Sequence, residues 1–249
     1  MTRSAVVVAH PDDEALWLSS VLAMADRIVF CFGDLFARPK TSASRRNAVA
    51  ALPLRGLIDL SIPENGGSLT VDWARPCLTE TGIALGDPAA DERYAANFPI
   101  LVDGLRAALA GCTDVYTHNP WGEYGHPDHI QVHRAVAALQ GEVGYTIWFS
   151  NYVGAASWRL AQSLAAQPLW AEKRTVVPDV KLAKALKRVY RRNGAWTWNR
   201  WHRWPAEESL YALPSGGTAE RHAFDGETLL DVAGLRWPPR SPALRILRP

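Results

Sequence analysis

Ser4-Ala5-Val6-Val7-Val8-Ala9-His10-Pro11-Asp12-Asp13-Glu14 is the stretch that decides how this chain folds. Its first half is a β-branched run of strand length, and its second half turns abruptly to imidazole and carboxylate. A strand ending in such a cluster fits an open α/β sheet, where ligands bind beyond the carboxyl ends of the strands. Further strand-like runs at residues 27–32, 57–60, 114–117 and 145–149 alternate with helical intervals at 15–25, 44–52, 100–109 and 130–139. The alternation predicts βαβ units and a mainly parallel sheet flanked by helices. Residues 61–91, rich in Gly, Pro and acids, read as an irregular insertion near the site. Past Asn151 the pattern weakens until residues 181–192, where Leu182, Leu186 and Val189 share one side of an amphipathic helix. The Pro-rich end reads as an extended tail.

The 249 residues are 48% hydrophobic with a net charge of +2, ample for a buried core and too little charge for a general nucleic-acid binder. They read as one unit: a core over residues 1–150 that holds the site, and a less regular extension over 151–249 that recognises substrate. Cys31, Cys77 and Cys112 are widely spaced in apolar surroundings and read as three buried free thiols. The first apolar run is too short for a signal-peptide core, and no stretch approaches the ~20 apolar residues of a membrane span. Cytoplasmic residence is the expectation.

A second polar segment, Tyr124-Gly125-His126-Pro127-Asp128-His129, supplies the remaining ligands. A catalytic zinc commonly takes three protein ligands from His and Asp or Glu and leaves one position for water. His10, Asp13 and His129 can form that set, leaving Asp12 as an unliganded carboxylate able to take a proton. If Pro127 opens a helix, His126 and His129 project in similar directions, so one can bind metal while the other meets substrate. Asp128 could hold His126 cationic through a hydrogen bond. A second reading makes Asp12 or Asp13 a simple helix cap. His133, four residues after His129, reads as a packed or solvated histidine, and His118, His202 and His222 as structural or surface residues. Two His and one carboxylate also suit ferrous iron or another divalent metal.

At these two segments the chain resembles the zinc-dependent de-N-acetylase superfamily, which includes N-acetylglucosaminylphosphatidylinositol deacetylases and LmbE-like proteins. The resemblance implies a Rossmann-like fold, zinc on His10, Asp13 and His129, and Asp12 as general base. It further implies His126 as general acid and oxyanion partner, Asp128 as its tuner, and Tyr124 as a residue that polarises the amide carbonyl. Relatives carry an Arg with a Glu three residues on, whereas Arg45-Arg46 is followed by Asn47, Ala48 and Val49. Arg45, Arg46, Trp121, Trp196 and Trp198 are the candidate substrate-binding residues.

Residues 181–204 hold eight Lys or Arg, no acid, and Trp196, Trp198, Trp201 and Trp204. The segment could stack and charge-pair with a sugar conjugate, lie on an anionic membrane, or be ordinary packing with a solvated basic face. The leading expectation is hydrolysis of the acetamide of an N-acetylated amino sugar or its conjugate. The alternatives are a sugar-binding or membrane-associated protein with a structural metal, and a metal-dependent esterase.

Overall fold

The structure, a computed structural model, describes residues 3–35, 38–64, 66, 70–215, 220–223 and 229–235. The sequence's extended tail lies outside them. Strand β1 (Ser4–Val8) sits centrally, paired in parallel with β2 (Arg27–Phe30) on one side and with β6 (Asp114–Thr117) on the other. The intervening strands are β3 (Leu57–Asp59), parallel to β2, and a small hairpin of β4 (Leu78–Thr79) and β5 (Gly82–Ile83). Strand β7 (Thr146–Ser150) pairs in parallel with β6. Short β8 (Tyr152–Val153) and β11 (Leu230–Asp231) form a separate pair. Strands β9 (Glu172–Val176) and β10 (Glu208–Leu213) extend the main sheet antiparallel, in the order β3-β2-β1-β6-β7-β10-β9. The fold is α/β with a mostly parallel seven-stranded sheet.

Strand β1 is apolar on both faces because helices cover both. Val6 and Val8 pack with α1 (Asp13–Trp17), α2 (Pro39–Ala50) and α6 (Val180–Arg192) through Leu16, Ala48, Leu186 and Tyr190. Ala5 and Val7 face α3 (Pro88–Leu109) and α4 (Pro127–Val143) through Leu101, Leu105, Val132 and Val136. Each fully buried Val or Leu contributes about 1.5–3 kcal/mol. Helix α5 (Trp158–Ala165) joins a third cluster with Trp121, Phe149 and Tyr211. Among the described residues, no helix is long and apolar enough to cross a membrane.

Three helices depart from the sequence reading. Helix α1 stops at Trp17, followed only by a 3-10 turn at Leu22–Met24, because Ser19-Ser20 interrupts it and Ser20 Oγ is drawn to Glu208. Helix α2 starts earlier, at Pro39, whose missing N–H costs nothing in the first turn. Helix α3 runs straight through Pro99, held by the Tyr94 hydroxyl donating to Pro127 O at 2.6 Å and by the burial of Leu101 and Leu105. All three cysteines are free, but Cys77 is exposed: the hairpin segment carrying it lies at the surface.

A buried carboxyl ties the added strands to the core. Glu208 on β10 accepts from Ser20 Oγ and from the Tyr152 hydroxyl, and burial pushes it up to about 7, against those two hydrogen bonds. Because the folded state holds this proton more tightly than the unfolded chain, the contribution is full below the unfolded value and is lost as pH rises through about 7. Denaturant unfolding at pH 5 and pH 8 should show a loss on the order of 3 kcal/mol from this group. In Glu208→Gln that part of the slope should vanish; an unchanged slope would assign the pH dependence elsewhere.

Candidate metal centre and active site

The site lies at the carboxyl ends of β1 and β6, where the strand order reverses direction. His10 leaves β1 and Asp12 and Asp13 open α1, while His126 caps α4 and His129 lies in its first turn. Pro127 occupies the first helical turn as its fixed φ favours. Asp13 Oδ2 is the hub: it stands 3.2 Å from His10 Nδ1 and 3.2 Å from His129 Nε2, and accepts from the His10 backbone N–H at 2.8 Å. Ligand bonds of 2.0–2.2 Å in a tetrahedral zinc site place neighbouring donor atoms about 3.3 Å apart, so these two spacings to Asp13 fit. His129 Nε2 is also buried without a hydrogen-bond partner, as expected of an atom whose lone pair is meant for a cation. The donor set suits a zinc-class ion.

Each of these three side chains is anchored behind. Asp13 Oδ1 accepts from Trp17 Nε1 at 3.1 Å, His10 Nε2 meets Asp128 Oδ2 at 3.1 Å, and His129 Nδ1 meets Glu123 Oε2 at 2.7 Å. The field favours positive charge. Burial opposes a charged His10, yet Glu64, Asp128 and Asp13 outweigh it and raise the ring to about 10. Against the same penalty Asp13 and Glu123 raise His129 to about 9, while His129 and His10 hold Asp13 well below the carboxylate range.

Asp12 occupies the N-cap position with φ of 109°, yet its side chain caps nothing in α1. Its Oδ2 instead accepts from the backbone N–H and the hydroxyl of Thr197, both at 2.9 Å, in the loop after α6. The helix-cap reading is thereby replaced for Asp12. Burial and the adjacent Asp13 push its carboxyl up to about 7, against the Thr197 bonds and Arg45. Glu14 turns away, accepting from Tyr190 at 2.8 Å.

His126 sits half-buried with its ring 4.7 Å from His10 and 5.0 Å from His129. Its Nδ1 accepts the Asp128 backbone N–H at 3.2 Å, so the neutral ring carries its proton on Nε2. The Asp128 carboxylate lies 4.0 Å from His126 and turns to His10. The expected Asp128–His126 bond is therefore corrected, and burial together with His10 holds His126 well below the imidazole range rather than cationic. Tyr124 is half-buried, its ring 4.7 Å from Trp198 and 5.8 Å from His126.

Of the substrate candidates, Trp121 is corrected: it is fully buried, and its indole N–H donates to Tyr152 O at 2.7 Å. Arg45 is buried against Glu64, whose Oε1 also lies 3.4 Å from His10 Nε2. Arg46 faces outward and pairs with Asp34. Trp198 packs on Trp17 and Tyr124, whereas Trp196 and Trp204 enclose the Lys187 ammonium, whose Nζ donates to Arg200 O. Glu123, Glu64 and Thr197 belong to the site and escaped the sequence reading, while His118, read there as structural or surface, lies beside Asp13 and Glu123. For Glu123, the available signal was an acid inside a histidine-dense stretch.

No family model matches the chain. It is 31% identical over 170 residues, 56% of this chain and 41% of that protein, to a 1D-myo-inositol 2-acetamido-2-deoxy-alpha-D-glucopyranoside deacetylase of Corynebacterium kroppenstedtii. A deacetylase of the same name from Corynebacterium diphtheriae is 28% identical over 157 residues, 53% of this chain and 50% of that protein. The chain thus spans about half the length of the curated relatives it matches. In fold it is similar to a zinc-inhibited form of teicoplanin deacetylase, with a TM-score of 0.54 at 14% identity over 88% of this chain and 100% of that one. A deacetylase complex from the teicoplanin biosynthesis pathway gives a TM-score of 0.56 at 15% identity over 88% of this chain and 100% of that one. By sequence the chain is thus similar to the first pair, both named as deacetylases, and by fold to the second.

Proposed function

We propose that this chain is a metal-dependent hydrolase that removes the acetyl group from an N-acetylated amino sugar, free or carried on a conjugate, releasing acetate and a primary amine. The observation that carries this reading is the convergence of His10 Nδ1, Asp13 Oδ2 and His129 Nε2, with the carboxylate of Asp12 held next to Asp13 from across the fold. The corynebacterial relatives are named for a 2-acetamido sugar, which supports the substrate class. Zinc is the ion this reading proposes, with ferrous iron as the competitor for a two-His, one-carboxylate set. When bound there, the ion polarises the amide carbonyl and acidifies a water.

The chain's own groups do the remaining work. Thr197 grips Asp12 by Oδ2 alone, leaving Oδ1 to take the proton of the attacking water. His126, neutral with its proton on Nε2, donates a hydrogen bond to the oxyanion as the tetrahedral centre forms. A neutral imidazole in that role keeps its proton, so this reading departs from the general-acid role expected of His126: the departing nitrogen receives the proton held by Asp12. Tyr124 and Trp198 offer an aromatic wall for a sugar ring, and the 151–249 region contributes to recognition through Thr197 and Trp198. The lysines and arginines of α6 fit contact with an anionic conjugate or membrane surface, and the small net charge argues against nucleic acid. Free cysteines fit a reducing compartment, so cytoplasmic residence belongs to the same reading.

The test is primary-amine release by zinc-loaded protein, and separately by iron-loaded protein, from a panel of N-acetylated sugars and glycoconjugates, with acetate esters alongside. Amine release with equimolar acetate supports the reading. Ester cleavage without any amine release, or saccharide binding with no hydrolysis, would overturn it.

A further inference from the structure

Glu123 lies outside both polar motifs, at φ of 48° in the loop between β6 and α4, fully buried. Its Oε2 contacts two imidazoles at once: His129 Nδ1 at 2.7 Å and His118 Nδ1 at 3.0 Å. Its Oε1 accepts from the Asn119 backbone N–H at 3.0 Å, and its own N–H donates to Asn119 Oδ1 at 2.8 Å. The tautomer of His118 is dictated by the sheet. The Ala9 backbone N–H, at the end of β1, donates to His118 Nε2 at 2.8 Å, so the His118 proton must sit on Nδ1 and point at Glu123. The His118 ring stacks on His129 with centroids 3.8 Å apart and planes within 20°, fixing the plane of the second ring. The His118 carbonyl accepts from His133 Nδ1 at 2.7 Å, which anchors the pair to α4.

We infer that Glu123 is a positioning residue for the metal ligand His129: it holds the His129 proton on Nδ1, so that Nε2 can offer its lone pair to a cation shared with Asp13. His118 is the brace that keeps the carboxylate in register. The inference rests on the metal-site reading above and adds a residue to it. Only an ionised carboxylate serves here, because all the groups facing its two oxygens are donors. A Gln side chain must turn its NH₂ against either the two imidazole N–H groups or the Asn119 N–H.

The test measures zinc affinity by competition with a chromophoric chelator, in wild type and Glu123→Gln, with long-range ¹H–¹⁵N correlation of the histidine rings as the second readout. Glu123→Gln should weaken zinc about 10- to 100-fold. In zinc-loaded wild type, His129 should carry its proton on Nδ1 and bind through Nε2. Equal zinc affinity in a folded Glu123→Gln overturns the inference while leaving the metal site standing. Should that variant fail to fold, the wild-type spectrum decides alone: a proton on His129 Nε2 in the loaded protein overturns it. A wild type that binds neither zinc nor ferrous iron overturns both this inference and the reading it rests on.

Discussion

Asp12→Asn should bind zinc as the wild type does and release amine about 100- to 10,000-fold more slowly, the span over which general-base catalysis ordinarily acts. Asn is the informative replacement because it is isosteric and, like Asp, tolerates the positive φ of 109° that this position demands. Its amide oxygen can still accept the Thr197 N–H and hydroxyl, so the loop after α6 stays in place. What is lost is the ability to take up a proton. The loss should appear in kcat with KM little moved, since no contact to bound substrate has been removed. A variant with wild-type turnover and full zinc would remove Asp12 from the chemistry and leave it as a structural link between α1 and the Thr197 loop. Parallel loss of zinc and turnover would make it part of the metal's own shell.

The two ends of the site differ in how far they can be read without coordinates. Strand β1 and the candidate ligands after it are legible because an uninterrupted buried strand followed by imidazole and carboxylate has few other uses, and Pro127 marks the start of α4 directly. Thr197 is invisible by the same means: it meets Asp12 across 185 residues, and an exposed Thr carries no pattern. Glu123 is hidden for a different reason, since nothing in the chain announces that an acid in a turn will be wholly buried between two rings. Strand β9 escapes because Glu172-Lys173-Arg174-Thr175-Val176 has the charged character by which edge strands resist pairing with other chains. The lysines and arginines after 180 are equally deceptive. They draw attention as a binding surface, while the indoles beside them are partly engaged in packing: Trp198 on Trp17 and Tyr124, and Trp196 with Trp204 around Lys187.

Asp13→Ala should lose zinc binding and turnover together, because Asp13 Oδ2 is the point that His10 Nδ1 and His129 Nε2 share. The substitution also strips the acceptor from two buried donors, the His10 backbone N–H and the Trp17 indole, at about 1–3 kcal/mol each. A lower Tm in the variant is therefore expected with or without metal and says nothing about ligation. The discriminating quantity is the increment that zinc adds. A ligand present at 1,000 times its Kd stabilises the native state by about 4 kcal/mol, so wild type should gain strongly in Tm on zinc addition and lose the gain to a chelator. Asp13→Ala should show neither change. Asp13→Asn keeps an acceptor for the His10 N–H but supplies no anionic ligand, so it should fold closer to wild type and still forfeit most of the increment. A zinc-dependent rise of wild-type size in both variants would show that the ion sits elsewhere, and the two clusters that lack Asp13, His10–His126–His129 and His10–Glu64–Asp128, would then be the places to look.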